Sequence, residues 1–168
     1  MTQPTEQTGP IWLTQKAFDE LTAELEDMKG PRRQSIVSRI SAARDEGDLS
    51  ENGGYHAARE EQGKLEGQIR QLEHVLLHAE TTVPDDDGLV SAGKVVTYKF
   101  EGDTDDEAET ILLGARENEE YVDVTVFSPQ APLGAALLGA ESGSVVEFTG
   151  PNGVTNKVEV VSAVPYKD

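Results

Sequence analysis

Two carboxylates three positions apart, Asp48 and Glu51, stand in the run Gly47-Asp48-Leu49-Ser50-Glu51-Asn52-Gly53-Gly54. Acids at that spacing support two kinds of work. A capping side chain followed three residues later by Glu is a capping box, which satisfies the free N–H groups at a helix start. Two carboxylates also suit Mg²⁺, which keeps several waters and takes one or two carboxylates together with phosphate oxygens. They are too few for an all-protein site, so this second use needs an ion shared with another molecule's reaction centre. The placement of the pair weighs toward sharing. A cap needs no reach, yet these acids lie between two segments that each read as a long amphipathic helix.

Those two segments must position the acids. After Gly54, the residues Tyr55, Ala58, Gln62, Leu65, Ile69, Leu72 and Leu76 recur at alternating spacings of three and four, which is a coiled-coil seam. Before Gly47, Trp12-Leu13 leads to Thr14, a good N-cap, and Phe18, Leu21, Leu25 and Met28 form an apolar stripe. Gly30-Pro31 interrupts the stripe; proline lacks a backbone donor and restricts its predecessor, so a kink or break is expected there. The stripe resumes at Ile36, Ile40 and Ala43, with Ile36 eight residues after Met28 where a heptad repeat would place it at seven. Segment 29–44 contains Lys29, Arg32, Arg33, Arg39 and Arg44 and no acid. These cations either pair with Glu60, Glu61 and Glu66 of the second helix or form a basic patch that steers RNA.

From residue 81 the pattern changes. Thr81 to Gly88 reads as a linker, and β-branched runs follow at Val95–Phe100, Glu109–Gly114, Val122–Phe127, Val145–Phe148 and Val154–Val161. Gly102-Asp103 and Asn152-Gly153 are turn signals, and one short helix is expected around Leu133–Ala140. The fold class is therefore α+β: a long antiparallel coiled-coil hairpin, then a small, mostly antiparallel sheet domain with one short helix. The expected boundaries are a disordered arm at 1–11, the hairpin at 12–80 with its tip at 47–54, a linker at 81–88 and the sheet domain at 89–168.

Composition agrees with a rod and a small globule. Across 168 residues hydrophobic content is 36% and aromatic content 5%, thin for one large core. The net charge of −18 repels free nucleic acid at long range, so contact with it must be local or through a partner. Residues 1–80 carry 9 basic and 15 acidic side chains and residues 81–168 carry 5 and 17, which suits the second part to docking on protein. With no cysteine there is neither a disulfide framework nor a thiolate metal site. No apolar run approaches the roughly 20 residues of a membrane span, and residues 1–10 lack a signal peptide's apolar core. A soluble, cytoplasmic protein is expected.

The run from Ala43 to Glu60, ARDEGDLSENGGYHAARE, resembles the signature of the Gre family of bacterial transcript cleavage factors. Leu13-Thr14, Leu21 and Glu24-Leu25 also match that family's start, and Ser128-Pro129, Pro132-Leu133-Gly134 and Leu137-Leu138-Gly139 resemble its C-terminal signature. The resemblance implies an FKBP-like C-terminal domain that docks at the rim of the RNA polymerase secondary channel while the coiled coil reaches down it. It implies that Asp48 and Glu51 help hold the polymerase's second catalytic Mg²⁺, so that the 3′ end of backtracked nascent RNA is cut. Leu49, Asn52 and Tyr55 would shape the tip. Arg32, Arg33, Arg39, Arg44 and Arg59 would touch RNA or polymerase, and Ser128 and Pro129 would dock. No stand-alone enzyme activity is expected, and the factor would act as a monomer. His56 reads as solvent-facing.

Two departures stand out: Gly54 occupies a position where many members carry an acid, and the Pro132-Leu133-Gly134 segment is longer than in many relatives. Three other readings compete. An independent metal hydrolase built on Asp48, Glu51 and His56 lacks converging ligands. A channel inhibitor of the same architecture is opposed by retention of both acids. A prolyl isomerase would want an aromatic-lined pocket, and the only tryptophan, Trp12, precedes the sheet domain.

Overall fold

A computed structural model describes residues 11–47 and 52–167, which form two compact units. The first helical arm comprises α1 (Gln15–Asp27) and α2 (Arg33–Asp45), joined through a π-helical turn at Met28–Arg32. The return arm is a single 25-residue helix, α3 (Gly53–Leu77). Residues 18–78 make up the helical unit.

Of the kink or break expected at Gly30-Pro31, the structure has an irregular turn at that place but no break. The backbone stays helical through the turn, and the Arg33 N–H donates to the Met28 carbonyl five residues back. A π turn admits one extra residue into a helix. That residue is the offset between Met28 and Ile36, and its absorption returns Ile36, Ile40 and Ala43 to the buried face.

On α3 the buried residues are Ala58, Leu65, Ile69, Leu72 and Val75, with Tyr55, Gln62 and Leu76 half-buried. The expected seam is present, and Val75 lies deeper than Leu76. Cross-arm ion pairs run Lys29–Glu73, Arg33–Glu66 and Arg39–Glu61, one number rising as the other falls, as antiparallel arms require.

The second unit contains residues 11–17 as well as everything from 79 onward. Its small sheet pairs β1 (Ile11–Trp12) in parallel with β2 (Ala79–Glu80). Its main sheet contains β3 (Lys94–Phe100), β4 (Glu109–Leu113), β5 (Thr125–Phe127), β6 (Val145–Thr149) and β7 (Thr155–Pro165), in the order β5-β4-β3-β7-β6. The short helix α4 spans Pro132–Leu137. The sheet is mixed rather than wholly antiparallel, because β4 and β5 run parallel. A 3₁₀ segment, Arg116–Tyr121, lies in the connection between them, and parallel neighbours need such a crossover. β7 is longer than its sequence pattern suggests. An irregularity opposite Thr97/Tyr98 lets pairing with β3 continue to Pro165.

Period-two alternation separates two apolar faces. Val96, Tyr98, Ile111, Leu113, Val158 and Val160 build the larger core with Leu137 of α4. On the other face Leu112 and Val126 pack with Trp12.

Two boundaries thus differ from expectation. Ile11, placed in the disordered arm, is a buried strand residue, and residues 1–10 lie outside the described chain. Trp12 and residues 79–88 belong to the sheet unit rather than to the hairpin or a free linker. Trp12 is 6% exposed and its indole N–H donates to the Thr82 carbonyl at 2.8 Å, so its ring lines no open pocket. A fully buried lysine, Lys94, donates to Asp87 and to the Leu89 carbonyl and so ties down the end of the expected linker. That contact also lowers the Asp87 carboxyl below its ordinary pKa.

Candidate functional site at the hairpin tip

The described ends of the tip are Gly47 and Asn52; Asp48, Leu49 and Glu51 lie outside the described residues. Gly47 leaves α2 with φ +110°, a conformation that L side chains rarely adopt. Asn52 is the N-cap of α3, with extended backbone angles and a side-chain oxygen that accepts from the Tyr55 N–H at 3.0 Å. Its amide nitrogen donates to the Ala43 carbonyl in the last turn of α2, at 2.8 Å.

This geometry resolves one ambiguity of the sequence. A capping box on α3 would need its glutamate at the third helical position, which Tyr55 occupies. Glu51 precedes the cap and Asp48 lies further out, so the pair does not have the register of a capping box on this helix.

Behind the tip, the cations of segment 29–44 have separate fates. Arg33 grips Glu66 with two hydrogen bonds of 2.8 and 2.9 Å, and Arg39 meets Glu61 at 2.7 Å. Arg32 turns back to Asp27 at 2.7 Å, and Lys29 reaches Glu73 at 3.4 Å. Glu60 pairs with Lys64 of its own helix instead of an arginine. The Arg33 contact lowers the Glu66 carboxyl below its ordinary pKa and raises the Arg33 guanidinium above its own. Arg44 and Arg59 have no carboxylate partner among the described residues. With Ser41 and Gln62 they rim a concavity of roughly 220 Å³ floored by Val37 and Ile40. Tyr55 is half-buried and His56 exposed, their rings edge to face at 5.5 Å.

In the sheet unit, Ser128 and Pro129 follow β5 in a turn closed by the Ala131 N–H on the Ser128 carbonyl, at 3.1 Å. Gly134 of α4 packs against that carbonyl so closely that a Cβ on it would lie 2.0 Å from the oxygen. Sequence reasoning missed Asn118. Buried, it accepts from the Thr14 N–H and donates to the Trp12 and Ala115 carbonyls at 2.9 Å. No local motif announces it, since two of its partners are over a hundred residues away in sequence.

No group of three or more potential metal-ligating side chains occurs among the described residues. No described helix is long and apolar enough to cross a membrane.

Comparison with known proteins places this geometry in a lineage. Residues 11–81 match the family model for the N-terminal domain of transcription elongation factors, and residues 85–165 match that for the GreA/GreB C-terminal domain. A Saccharopolyspora erythraea protein named transcription elongation factor GreA is 48% identical over 161 residues, covering 95% of this chain and 98% of that protein. A Streptomyces avermitilis protein of the same name is 46% identical over 168 residues, covering 99% of each. Among solved structures, GreA factor homolog 1 of Thermus thermophilus aligns over 92% of this chain and 98% of its own, at 23% identity and a TM-score of 0.41. On the two family matches and the near-complete span of its relatives, the chain belongs to the GreA/GreB family of transcription elongation factors.

Proposed function

We propose that this protein binds bacterial RNA polymerase and stimulates the polymerase's own cleavage of backtracked nascent RNA, rescuing arrested complexes. The C-terminal unit docks at the rim of the secondary channel through the Ser128-Pro129 turn, and the hairpin carries Asp48 and Glu51 to the reaction centre. There the two carboxylates help hold a second Mg²⁺ whose remaining ligands come from polymerase, water and RNA. In two-metal chemistry such an ion activates the attacking water and steadies the charge that develops at the scissile phosphate.

The observation that carries this reading is the cap of α3. Asn52 holds it, so Asp48 and Glu51 are not committed to a capping box, and a carboxylate pair at a hairpin end matches the donor chemistry Mg²⁺ accepts. The chain's own contribution is charge and placement: two anions that raise local affinity for a weakly held ion. Arg44 and Arg59, uncommitted to carboxylates among the described residues, are the cations available to RNA phosphates beside the tip. Arg33 and Arg39 are engaged in the shaft.

The test is a cleavage assay on backtracked complexes with wild type, Asp48→Asn and Glu51→Gln. Each variant should lose at least about tenfold in cleavage rate, the scale on which disturbing a metal site acts. Polymerase binding should persist, and stability should change by less than about 0.5 kcal/mol, as for surface substitutions. Transcripts of unchanged length with bound wild-type factor would refute the proposal, and slowed synthesis without shortening would identify a channel inhibitor instead.

A further inference from the structure

We propose that His74 and His78, at the C-terminal end of α3, form a chelating site for a divalent transition-metal ion, Cu²⁺ above the others. The site is separate from the tip and does not depend on the function proposed above.

His74 lies in the last turn of α3 and His78 is its C-cap. Positions four apart lie on one helix face, one turn from each other. That is the spacing at which two helical imidazoles share a metal ion. The rings are already together, with centroids 4.4 Å apart and planes inclined at 45°. Nδ1 of His78 lies 2.9 Å from the His74 carbonyl oxygen. A carbonyl only accepts, so Nδ1 carries the hydrogen and the neutral ring keeps its lone pair on Nε2. A backbone carbonyl behind the other ring nitrogen is the usual support of a histidine that ligates metal. Nε2 of His74 is screened from solvent and has no hydrogen-bond partner, a cost that ligation removes. Capping accounts for only half of this arrangement. A histidine at a helix C-terminus often bonds the last carbonyls, and His78 does so, but that role leaves the His74 ring without a use.

The ring separation selects the ion. Imidazole binds metal along the line from ring centre through nitrogen, with the nitrogen about 2.0–2.1 Å away, so each centroid lies about 3.2 Å from the ion. Centroids 4.4 Å apart then subtend about 90° at the ion. Tetrahedral zinc would open that angle to about 110° and the separation to about 5.2 Å. A right angle suits square-planar or tetragonal Cu²⁺ or Ni²⁺, and copper is the tightest divalent binder of its row. Water takes the remaining positions, since no group of three or more ligating side chains occurs among the described residues. A cation there also meets the partial negative charge of the helix C-terminus. His78 is exposed, which gives the ion its way in, and the chain has no cysteine to compete for it.

The test titrates Cu²⁺, Ni²⁺ and Zn²⁺ separately into the untagged full-length protein. The variants are His78→Gln, His74→Gln and His56→Gln, the last removing the only other histidine. Competition with a chromophoric chelator reads affinity, and electron paramagnetic resonance of the Cu²⁺ form counts the nitrogens bound. Wild type and His56→Gln should bind one tight equivalent of copper through two imidazoles, more tightly than nickel or zinc. His78→Gln should weaken copper binding at least about tenfold, the advantage of two ligands held on one scaffold. Its exposed side chain makes it the deciding variant should His74→Gln lose helicity. Copper should also raise the urea midpoint of helical unfolding in wild type, as a ligand of the folded state does, and leave His78→Gln unmoved. Equal copper affinity in wild type and His78→Gln overturns the proposal. So does a single nitrogen on copper in wild type, zinc binding tighter than copper, or an equal loss of affinity in His56→Gln.

Discussion

Deleting Pro31 should leave the hairpin in register and stabilise it. The first arm runs through the π turn at Met28–Arg32 without losing helicity. Each residue of an α-helix advances about 100° around the axis, so one extra residue in a regular helix would swing everything after it off the seam. The wide turn absorbs that rotation and leaves Ile36, Ile40 and Ala43 at 6%, 6% and 8% exposure. Burying each isoleucine is worth about 1.5–3 kcal/mol and the alanine methyl about 0.8 kcal/mol, so keeping phase is worth roughly 4–7 kcal/mol. That exceeds the cost of one irregular turn, and it explains why the chain tolerates the π geometry. Removing Pro31 sets Ile36 seven positions after Met28 and permits regular α-helix throughout, without a residue that costs about 3 kcal/mol in a helix interior. The expected gain is therefore up to about 3 kcal/mol. Urea unfolding followed by helical circular dichroism reports it, because among the described residues the sheet unit contributes little α-helix, the six-residue α4 and the first turn of α1. Deleting Gly63 from the regular α3 is the control. It would carry Ala58 out of phase with Leu65, Ile69, Leu72 and Val75 and should unfold the hairpin. A loss of about 4 kcal/mol or more on deleting Pro31 would refute the reasoning, because the extra residue would then be required rather than absorbed.

Two further outcomes follow from packing and charge. Gly134→Ala would press a Cβ to within 2.0 Å of the Ser128 carbonyl. It should cost about 1–3 kcal/mol as overpacking does, shift the Ser128-Pro129 turn and weaken polymerase affinity while sparing cleavage at saturating factor; unchanged melting and affinity would refute this. The Glu66 carboxyl is held below its ordinary value of 4.5, chiefly by hydrogen bonds from Arg33. Its contribution to stability is thus complete above that value and is lost as pH falls through the lowered pKa. Hairpin melting measured from pH 6 to 3 should show this loss in wild type and a shallower slope in Glu66→Gln; identical slopes would mean that the pair contributes nothing.

The hairpin was legible because its signal is periodic: spacings of three and four between Tyr55 and Leu76 specify a seam without any tertiary knowledge. The offset at Pro31 was legible too, but its form was not. Proline argues equally for a break, and the choice depends on burial at Ile36 and Ile40 that only the folded hairpin provides. The cap on α3 was ambiguous for a similar reason, since Asp48 and Asn52 are both good capping residues and only the helix start at Gly53 decides. In the sheet unit the strands followed from alternation, while the parallel β4–β5 pairing depends on the path of the chain through Arg116–Tyr121. No local pattern announces the burial of Lys94 or Asn118, and for Asn118 it comes from contacts distant in sequence, such as its bond to Trp12, 106 positions away.

The charge pattern of the helical unit bears on how so acidic a protein could work beside RNA. A net charge of −18 is felt as a whole only at long range, and physiological salt screens exposed charges beyond about 8 Å. Within that distance the local arrangement governs. Along the shaft, Lys29, Arg33 and Arg39 are matched to Glu73, Glu66 and Glu61, so these three cations are compensated where they stand. Nearer the tip the matching stops: Arg44 and Arg59 rim the concavity over Val37 and Ile40 with no carboxylate partner among the described residues. The next charged residues toward the hairpin end are acids, Asp45, Glu46 and Asp48, with Glu51 beyond them. Positive charge beside an acidic end is the order that proposed function requires, because phosphates can settle on arginines while the carboxylates are left for an ion. Had the shaft cations been free as well, RNA could settle anywhere along the arm. Pairing of Lys29, Arg33 and Arg39 takes those three cations out of the competition, and Arg44 and Arg59 are the cations nearest the tip without a carboxylate partner among the described residues.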